Sequence, residues 1–216
     1  MKKTLIRAIS FFLTLSLLTG LLIPFASAIE YEGVESMTVD ATAALLIDLD
    51  TDQVLYEQAA DEQRYPASIT KVMTALLVME AIESGQMTAD TMITASEHSQ
   101  QGLSIYGSTQ NIKPGETMSV KDLLYCLLVP SANEAANILA EAVDGSIEDF
   151  VAHMNRKAGE LGCQGTHFAN PHGLHNDNHY TTALDLAHIV RAAMKYDLFR
   201  QIVYTSVYET AATNMS

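Results

Sequence analysis

The sequence predicts an α/β fold: an antiparallel sheet, its first hairpin present, packed against a mainly helical subdomain. Three observations carry this. Residues 43–50 (AALLIDLD) and 53–58 (QVLYEQ) read as two strands joined by a tight Asp-Thr-Asp turn, an early hairpin. Capped helical segments then follow one another from Pro66 to Lys195. Residues 203–210 are β-branched and aromatic and read as a strand returning to the sheet.

The first 28 of the 216 residues stand apart from the fold. Lys2, Lys3 and Arg7 form a basic head, residues 9–25 are almost wholly apolar, and Ala26-Ser27-Ala28 has the small-x-small pattern of signal-peptide cleavage. The expected division is a signal peptide at 1–28 and one domain at 29–216, placing the mature protein outside the cytoplasm. An uncleaved anchor is the lesser reading, because the apolar run is short for a bilayer. The whole chain carries a formal charge of −14, and removing the basic head makes it more acidic still. Nucleic acid and anionic lipid are poor partners for such a chain, since both need clustered Lys and Arg. Two cysteines, Cys126 and Cys163, allow one bridge at most. Cys126 lies in an apolar helical run and reads as a buried free thiol.

Each element has its own signal. Pro66 opens a long helix that runs to about Ser84, with Gly85 as its left-handed cap. Residues 86–118, punctuated by Gly102, Gly107, Pro114 and Gly115, read as loops with short strands. Ser119 and Asp122 have capping-box spacing, and the helix they start stops near Val129 because Pro130 cannot continue it. The next helix runs from about Asn133 to Val143 and ends at Gly145. Ser146 and Asp149 cap another, which ends at Gly162. Residues 163–180 form a loop rich in His, Asn and Gly, and Thr182 with Asp185 starts one more helix, which reaches Lys195. A sheet of two or three strands keeps an open edge, so the chain is expected to end in mid-fold.

The chemistry begins on the Pro66 helix, Pro66-Ala67-Ser68-Ile69-Thr70-Lys71 followed by VMTALLVMEAI. Ile69, Val72, Met73, Leu76, Leu77, Met79 and Ile82 cover most of its circumference, which predicts burial on nearly all sides. Lys71 is then a lone charge in apolar surroundings. Desolvation and the positive end of the helix dipole both lower its pKa, and a lysine that is neutral near pH 7 can serve as a base. Ser68, three residues earlier, lies on the same face. Ser68 as nucleophile and Lys71 as base is one reading; a helix-capping serine beside a snorkelling lysine is the other. Pro130-Ser131-Ala132-Asn133 sits in the break between two helices. There Ser131 could relay a proton and Asn133 hold a substrate carbonyl, or either could simply cap the following helix.

Taken together, S-x-x-K followed by S-x-N is the signature of penicillin-binding proteins and serine β-lactamases. PASITKVMTALL, PSANEAANILAE, FVAHMNRK, THFANPHGL and HYTTALDLAHIVRAA resemble the low-molecular-mass D-alanyl-D-alanine carboxypeptidases, from about Ala43 to the C-terminus. The resemblance implies a penicillin-binding, serine β-lactamase-like fold without cofactor or metal. It implies that a peptidoglycan stem peptide ending in D-Ala-D-Ala acylates Ser68 and that Lys71 takes the Ser68 proton. Ser131 would pass that proton to the leaving amine, Asn133 would bind the substrate, and β-lactams would be covalent inhibitors. No Lys-Thr-Gly, the third motif of the family, occurs in the sequence. The expectation is therefore a catalytic domain at 29–216, incomplete at its C-terminus, with the last strands missing. Three alternatives stand beside this. A class A-like β-lactamase is disfavoured by Ala132 in the second motif and by the lack of a glutamate in residues 166–179. A zinc hydrolase would use His167, His172, His175 and His179 with Asp177, but these lack the H-E-x-x-H spacing. A non-catalytic remnant of the family is the third.

Overall fold

The structure is a computed structural model that describes residues 39–215; the expected signal peptide at 1–28 lies outside the described residues. The chain parts after Asp40 into two units, and the second, Ala41–Ser216, holds every element described below.

Strands β1 (Ala44–Ile47) and β2 (Val54–Gln58) form the antiparallel hairpin, with Ala44 opposite Gln58 and Ile47 opposite Val54. β1 is shorter than the eight apolar-rich residues suggested, because Asp48 belongs to the turn. Its Oδ1 accepts the Asp50 and Thr51 N–H groups at 3.0 and 2.8 Å and the Thr51 hydroxyl at 2.9 Å.

The core is built around α1 (Lys71–Glu83), whose Met73, Leu76, Leu77, Val78 and Met79 are all buried. Helices α2 (Val120–Leu128), α3 (Asn133–Asp144), α4 (Ile147–Glu160), α5 (Ala183–Ala193) and α6 (Asp197–Val203) all touch α1, and α5 also carries the β1–β2 hairpin. A second hairpin pairs β3 (Met92–Thr94) with β4 (Thr117–Ser119), within the stretch read as loops with short strands. The described residues thus hold two separate two-stranded antiparallel sheets, and none of the described helices is long and apolar enough to cross a membrane.

The caps fall where the sequence puts them. Ser119, Ser146 and Thr182 each accept, at 3.0 Å, the N–H of the aspartate three residues on, which stabilises each helix start by about 1 kcal/mol. Gly85 and Gly145 follow α1 and α3 with φ of 79° and 82°.

Three expectations are corrected. The Pro66 helix does not begin as an α-helix: Ala67–Thr70 is a 3₁₀ turn that precedes α1, and Ile69 on it is half exposed. Neither Ser131 nor Asn133 caps α3; its first flanking residue is Ala132, and no side chain closes that end. Residues 203–210 form no strand. α6 runs through Val203, and the segment beyond it instead finds partners on α2 and β4. Tyr208 stacks on Tyr125 with ring centroids 3.5 Å apart and donates its hydroxyl to Asp122 Oδ1 at 2.9 Å. Asn214 accepts the Thr117 N–H at 2.8 Å and donates to the Gly115 carbonyl at 2.9 Å.

Candidate active site

The turn Ala67–Thr70 carries Ser68 out of the core while the first residue of α1, Lys71, is driven into it. Ala67 has a φ of 48°, which breaks the helical path just before Ser68 and lets the serine face solvent. Ser68 lies in a cleft of ≈ 300 Å³ whose walls include Tyr65, Tyr106, Asn133, Leu174 and His179. A larger cavity of ≈ 580 Å³ lies elsewhere, between β4 and residues 208–213, and contains none of these groups.

Lys71 sits at the floor of this arrangement, 2% exposed. Its Nζ donates to Ser68 Oγ at 3.2 Å, to Asn133 Oδ1 at 2.8 Å and to the His172 carbonyl at 2.7 Å, so all three ammonium donors are used. Burial lowers its pKa to about 8, and the charge of Glu134 acts in the opposite sense. Because Asn133 turns its oxygen to Lys71, its NH₂ group lies on the side of Gly107. The ordinary alternative, a lysine snorkelling to solvent beside a capping serine, does not describe this geometry: Nζ points inward and Ser68 caps nothing.

The structure brings Ser68, Lys71 and Asn133 into one hydrogen-bonded cluster, and Ser131 is not bonded to any of them. Ser131 is held at φ 65°, and its Oγ is buried with no hydrogen-bond partner among the described residues. That backbone conformation is unfavourable to a non-glycine residue and costs about 1–2 kcal/mol, which packing elsewhere must offset.

Sequence reasoning did not reach the loop that closes the site. Asn170 accepts the Gly173 N–H at 2.6 Å and donates to the Leu174 carbonyl at 2.8 Å, which folds the NPHGL segment back on itself. Thr74 donates to the Pro171 carbonyl at 2.6 Å and fixes this loop to α1. Thr70 Oγ1 meets His179 Nε2 at 2.7 Å, and His179 Nδ1 accepts the Ala169 N–H at 3.0 Å, which makes Nε2 the protonated nitrogen. Burial lowers the pKa of His179 to about 4. Burial, together with the nearby Lys71 charge, lowers that of His172 to about 3. Both rings are neutral at pH 7. The four loop histidines do not converge: His175 is exposed against Tyr65, and among the described residues no three His, Cys, Asp or Glu side chains are grouped to hold a metal ion. Cys126 and Cys163 are free thiols, Cys126 buried as its helix position predicts.

An exposed serine joined to a buried lysine at the head of a central helix, in a chain that pairs helices with antiparallel hairpins, is the arrangement of a penicillin-binding type of fold. Solved structures agree. Penicillin-binding protein 6B from Escherichia coli superposes with a TM-score of 0.75 at 31% identity, covering 82% of this chain and 58% of that one. The Streptomyces K15 DD-transpeptidase superposes with a TM-score of 0.77 at 32% identity, covering 83% and 70%. The D-alanyl-D-alanine carboxypeptidase DacF of Bacillus subtilis is 41% identical over 170 residues, 79% of this chain and 42% of that protein. The chain spans about half the length, or less, of the curated relatives from Bacillus subtilis and Escherichia coli. The peptidase S11 profile, D-alanyl-D-alanine carboxypeptidase, matches residues 30–216, and the chain belongs to that family.

Proposed function

We propose that residues 29–216 form the nucleophile-bearing part of a serine-type D-alanyl-D-alanine carboxypeptidase, which removes the terminal D-alanine from peptidoglycan stem peptides. The observation that carries this is the 3.2 Å contact between Ser68 Oγ and the buried Lys71 Nζ. Neutral Lys71 keeps two N–H groups, enough for Asn133 Oδ1 and the His172 carbonyl, and turns its lone pair to the Ser68 hydroxyl. Ser68 Oγ then attacks the carbonyl carbon of the last peptide bond as its proton passes to Lys71. The Ser68 backbone N–H, in the first turn, is an oxyanion donor. As the C–N bond breaks, the proton returns through Ser131 to the amine of the departing D-alanine, leaving a Ser68 ester. Water hydrolyses that ester and Ser68 recovers its proton. The Asn133 NH₂ group holds the acyl-side amide carbonyl throughout.

The same chemistry makes β-lactams substrates that stay on as esters. The resemblance attributes a second oxyanion donor to a Lys-Thr-Gly strand, and one such donor is worth about a hundredfold in rate. Export is part of the proposal, since the basic head, apolar run and Ala26-Ser27-Ala28 suit a protein whose substrate lies outside the cytoplasm. The test is mass spectrometry of the full-length protein after incubation with benzylpenicillin. A single adduct mapped to Ser68, lost in Ser68→Ala, is expected, together with release of D-alanine from a D-Ala-D-Ala peptide. An adduct that persists in Ser68→Ala would overturn the assignment.

A further inference from the structure

Residues 104–112 form a loop that is fixed at its root and bare at its tip. Glu134, on the first turn of α3 and 1% exposed, holds the root. Its Oε1 accepts the Thr109 hydroxyl at 2.8 Å and the N–H groups of Gln110 and Ile112 at 2.7 and 3.3 Å. The Asn133 N–H donates to the Ser108 carbonyl at 3.0 Å. Gly107 is pressed against the Asn133 side chain, where a Cβ would stand 2.6 Å from Nδ2. At the tip, Ile105 and Tyr106 are 89% and 93% exposed, on a turn closed by the Gly107 N–H and the Ser104 carbonyl at 2.9 Å. Burying a side chain such as Tyr106 is normally favourable, yet here the backbone is tied down so that the ring stays uncovered. Tyr106 nonetheless lines the Ser68 cleft, as does Tyr65 from a separate part of the chain.

We propose that residues 104–112 are the specificity wall of the Ser68 cleft, with Tyr106 contacting the acyl-side substituent of the substrate and Glu134 acting as the positioning residue that keeps it there. This rests on the acyl-transfer reading above. The side is set by Asn133: its NH₂ group is the one offered to the acyl-side amide carbonyl, and Gly107, which touches it, is the residue next to Tyr106. An amphipathic ring in that position favours substrates that carry an apolar or planar group just beyond the amide, over those that stop short of it.

The experiment compares the second-order acylation constants of benzylpenicillin, which has a phenyl group beyond the amide, and 6-aminopenicillanic acid, which lacks the whole substituent. It uses the full-length protein. In Tyr106→Ala the benzylpenicillin to 6-aminopenicillanic acid ratio is expected to fall about three- to tenfold, the range for one lost aromatic contact. Glu134→Ala should lower the ratio similarly by releasing the loop. Glu134→Gln keeps an oxygen acceptor for the same three donors and should return the ratio to near the wild-type value. A ratio unchanged in Tyr106→Ala, with both constants falling in proportion or not at all, overturns the proposal while leaving acyl transfer intact. Failure of both compounds to acylate the wild-type protein at Ser68 removes the acyl-transfer reading, and this proposal with it.

Discussion

Gly173 is seated against Ala67 so closely that a Cβ on it would stand 1.9 Å from the Ala67 carbonyl oxygen. The same Cβ would lie 2.9 Å from Thr70 Oγ1, and Gly173 has a φ of 86°. The two residues clamp the turn that presents Ser68 between the NPHGL loop and α1. Gly173→Ala must therefore move that turn as well as adopt a strained backbone, with an expected loss of about 3 kcal/mol of stability. Gly85→Ala is the internal comparison: φ is 79°, but nothing lies within 4 Å, so strain alone should cost about 1 kcal/mol. Urea unfolding of the two variants separates the effects. Equal losses would mean that the Gly173–Ala67 contact contributes nothing.

Acylation should follow the ionisation of Lys71. Its pKa of about 8 leaves it mostly protonated at pH 6 and mostly neutral at pH 9, and only the neutral amine can take the Ser68 proton. The acylation rate constant is expected to rise about tenfold per pH unit below pH 8 and to level off above it. Asn133→Asp puts a carboxylate on the atom that accepts from Nζ at 2.8 Å, which favours the ammonium and raises the Lys71 pKa by one to three units or so. The rising limb should then move to higher pH. Stopped-flow measurement of benzylpenicillin acylation from pH 6 to pH 10 checks both curves, and a wild-type rate that is flat across this range would exclude Lys71 as the base.

Ser131 sets stability against function. Its φ of 65° opposes folding, so Ser131→Gly should raise stability by up to about 1 kcal/mol after allowing for the greater backbone freedom of glycine. The relay role predicts that the same variant loses at least about a hundredfold in D-alanine release. Thermal unfolding and peptide turnover, measured on one preparation, give the answer. A more stable variant with full turnover would remove Ser131 from the proton path.

What could be read beforehand follows a physical line. The hairpin turn, the Ser119, Ser146 and Thr182 caps and the glycines after α1 and α3 were legible because each is decided by side chains within a few residues of one another. The Ser68–Lys71 pair was legible for the same reason, being three positions apart. The rest of the site is made at long range. Lys71 reaches a main-chain carbonyl 101 residues away, and Thr70 reaches His179 across 109. No local period encodes such contacts. Ile69 was misread because its apolar character was counted as though residues 67–70 were α-helical. α6 was missed although Phe199 and Ile202, three apart and both buried, carry a helical signal. The β-branched stretch at 203–210 outweighed it.

Acid should loosen the site before it titrates most carboxylates. His179 donates from Nε2 to Thr70 Oγ1 and accepts the Ala169 N–H at Nδ1, an arrangement available only to the neutral ring. Protonation would turn a second N–H against the Ala169 donor. Its folded pKa of about 4 lies below the ordinary value of 6.5, and that of buried His172, about 3, lies lower still. Between these folded values and 6.5 the unfolded chain binds more protons than the folded one, so the stabilisation is full above pH 6.5 and is lost as pH falls. Each histidine should contribute a slope of up to about 1.4 kcal/mol per pH unit. Lys71, with its pKa lowered from 10.5 to about 8, acts in a separate alkaline window and leaves this one clear. Urea unfolding between pH 6.5 and 5 should show both histidine contributions in the wild-type protein and about half that slope in His179→Gln. The glutamine lowers stability at pH 7 by disturbing the two hydrogen bonds but has no proton to gain. An unchanged slope in His179→Gln would mean that the ring is already solvated, and that the clamp from Ala169 through His179 to Thr70, one residue from Lys71, does not hold the site.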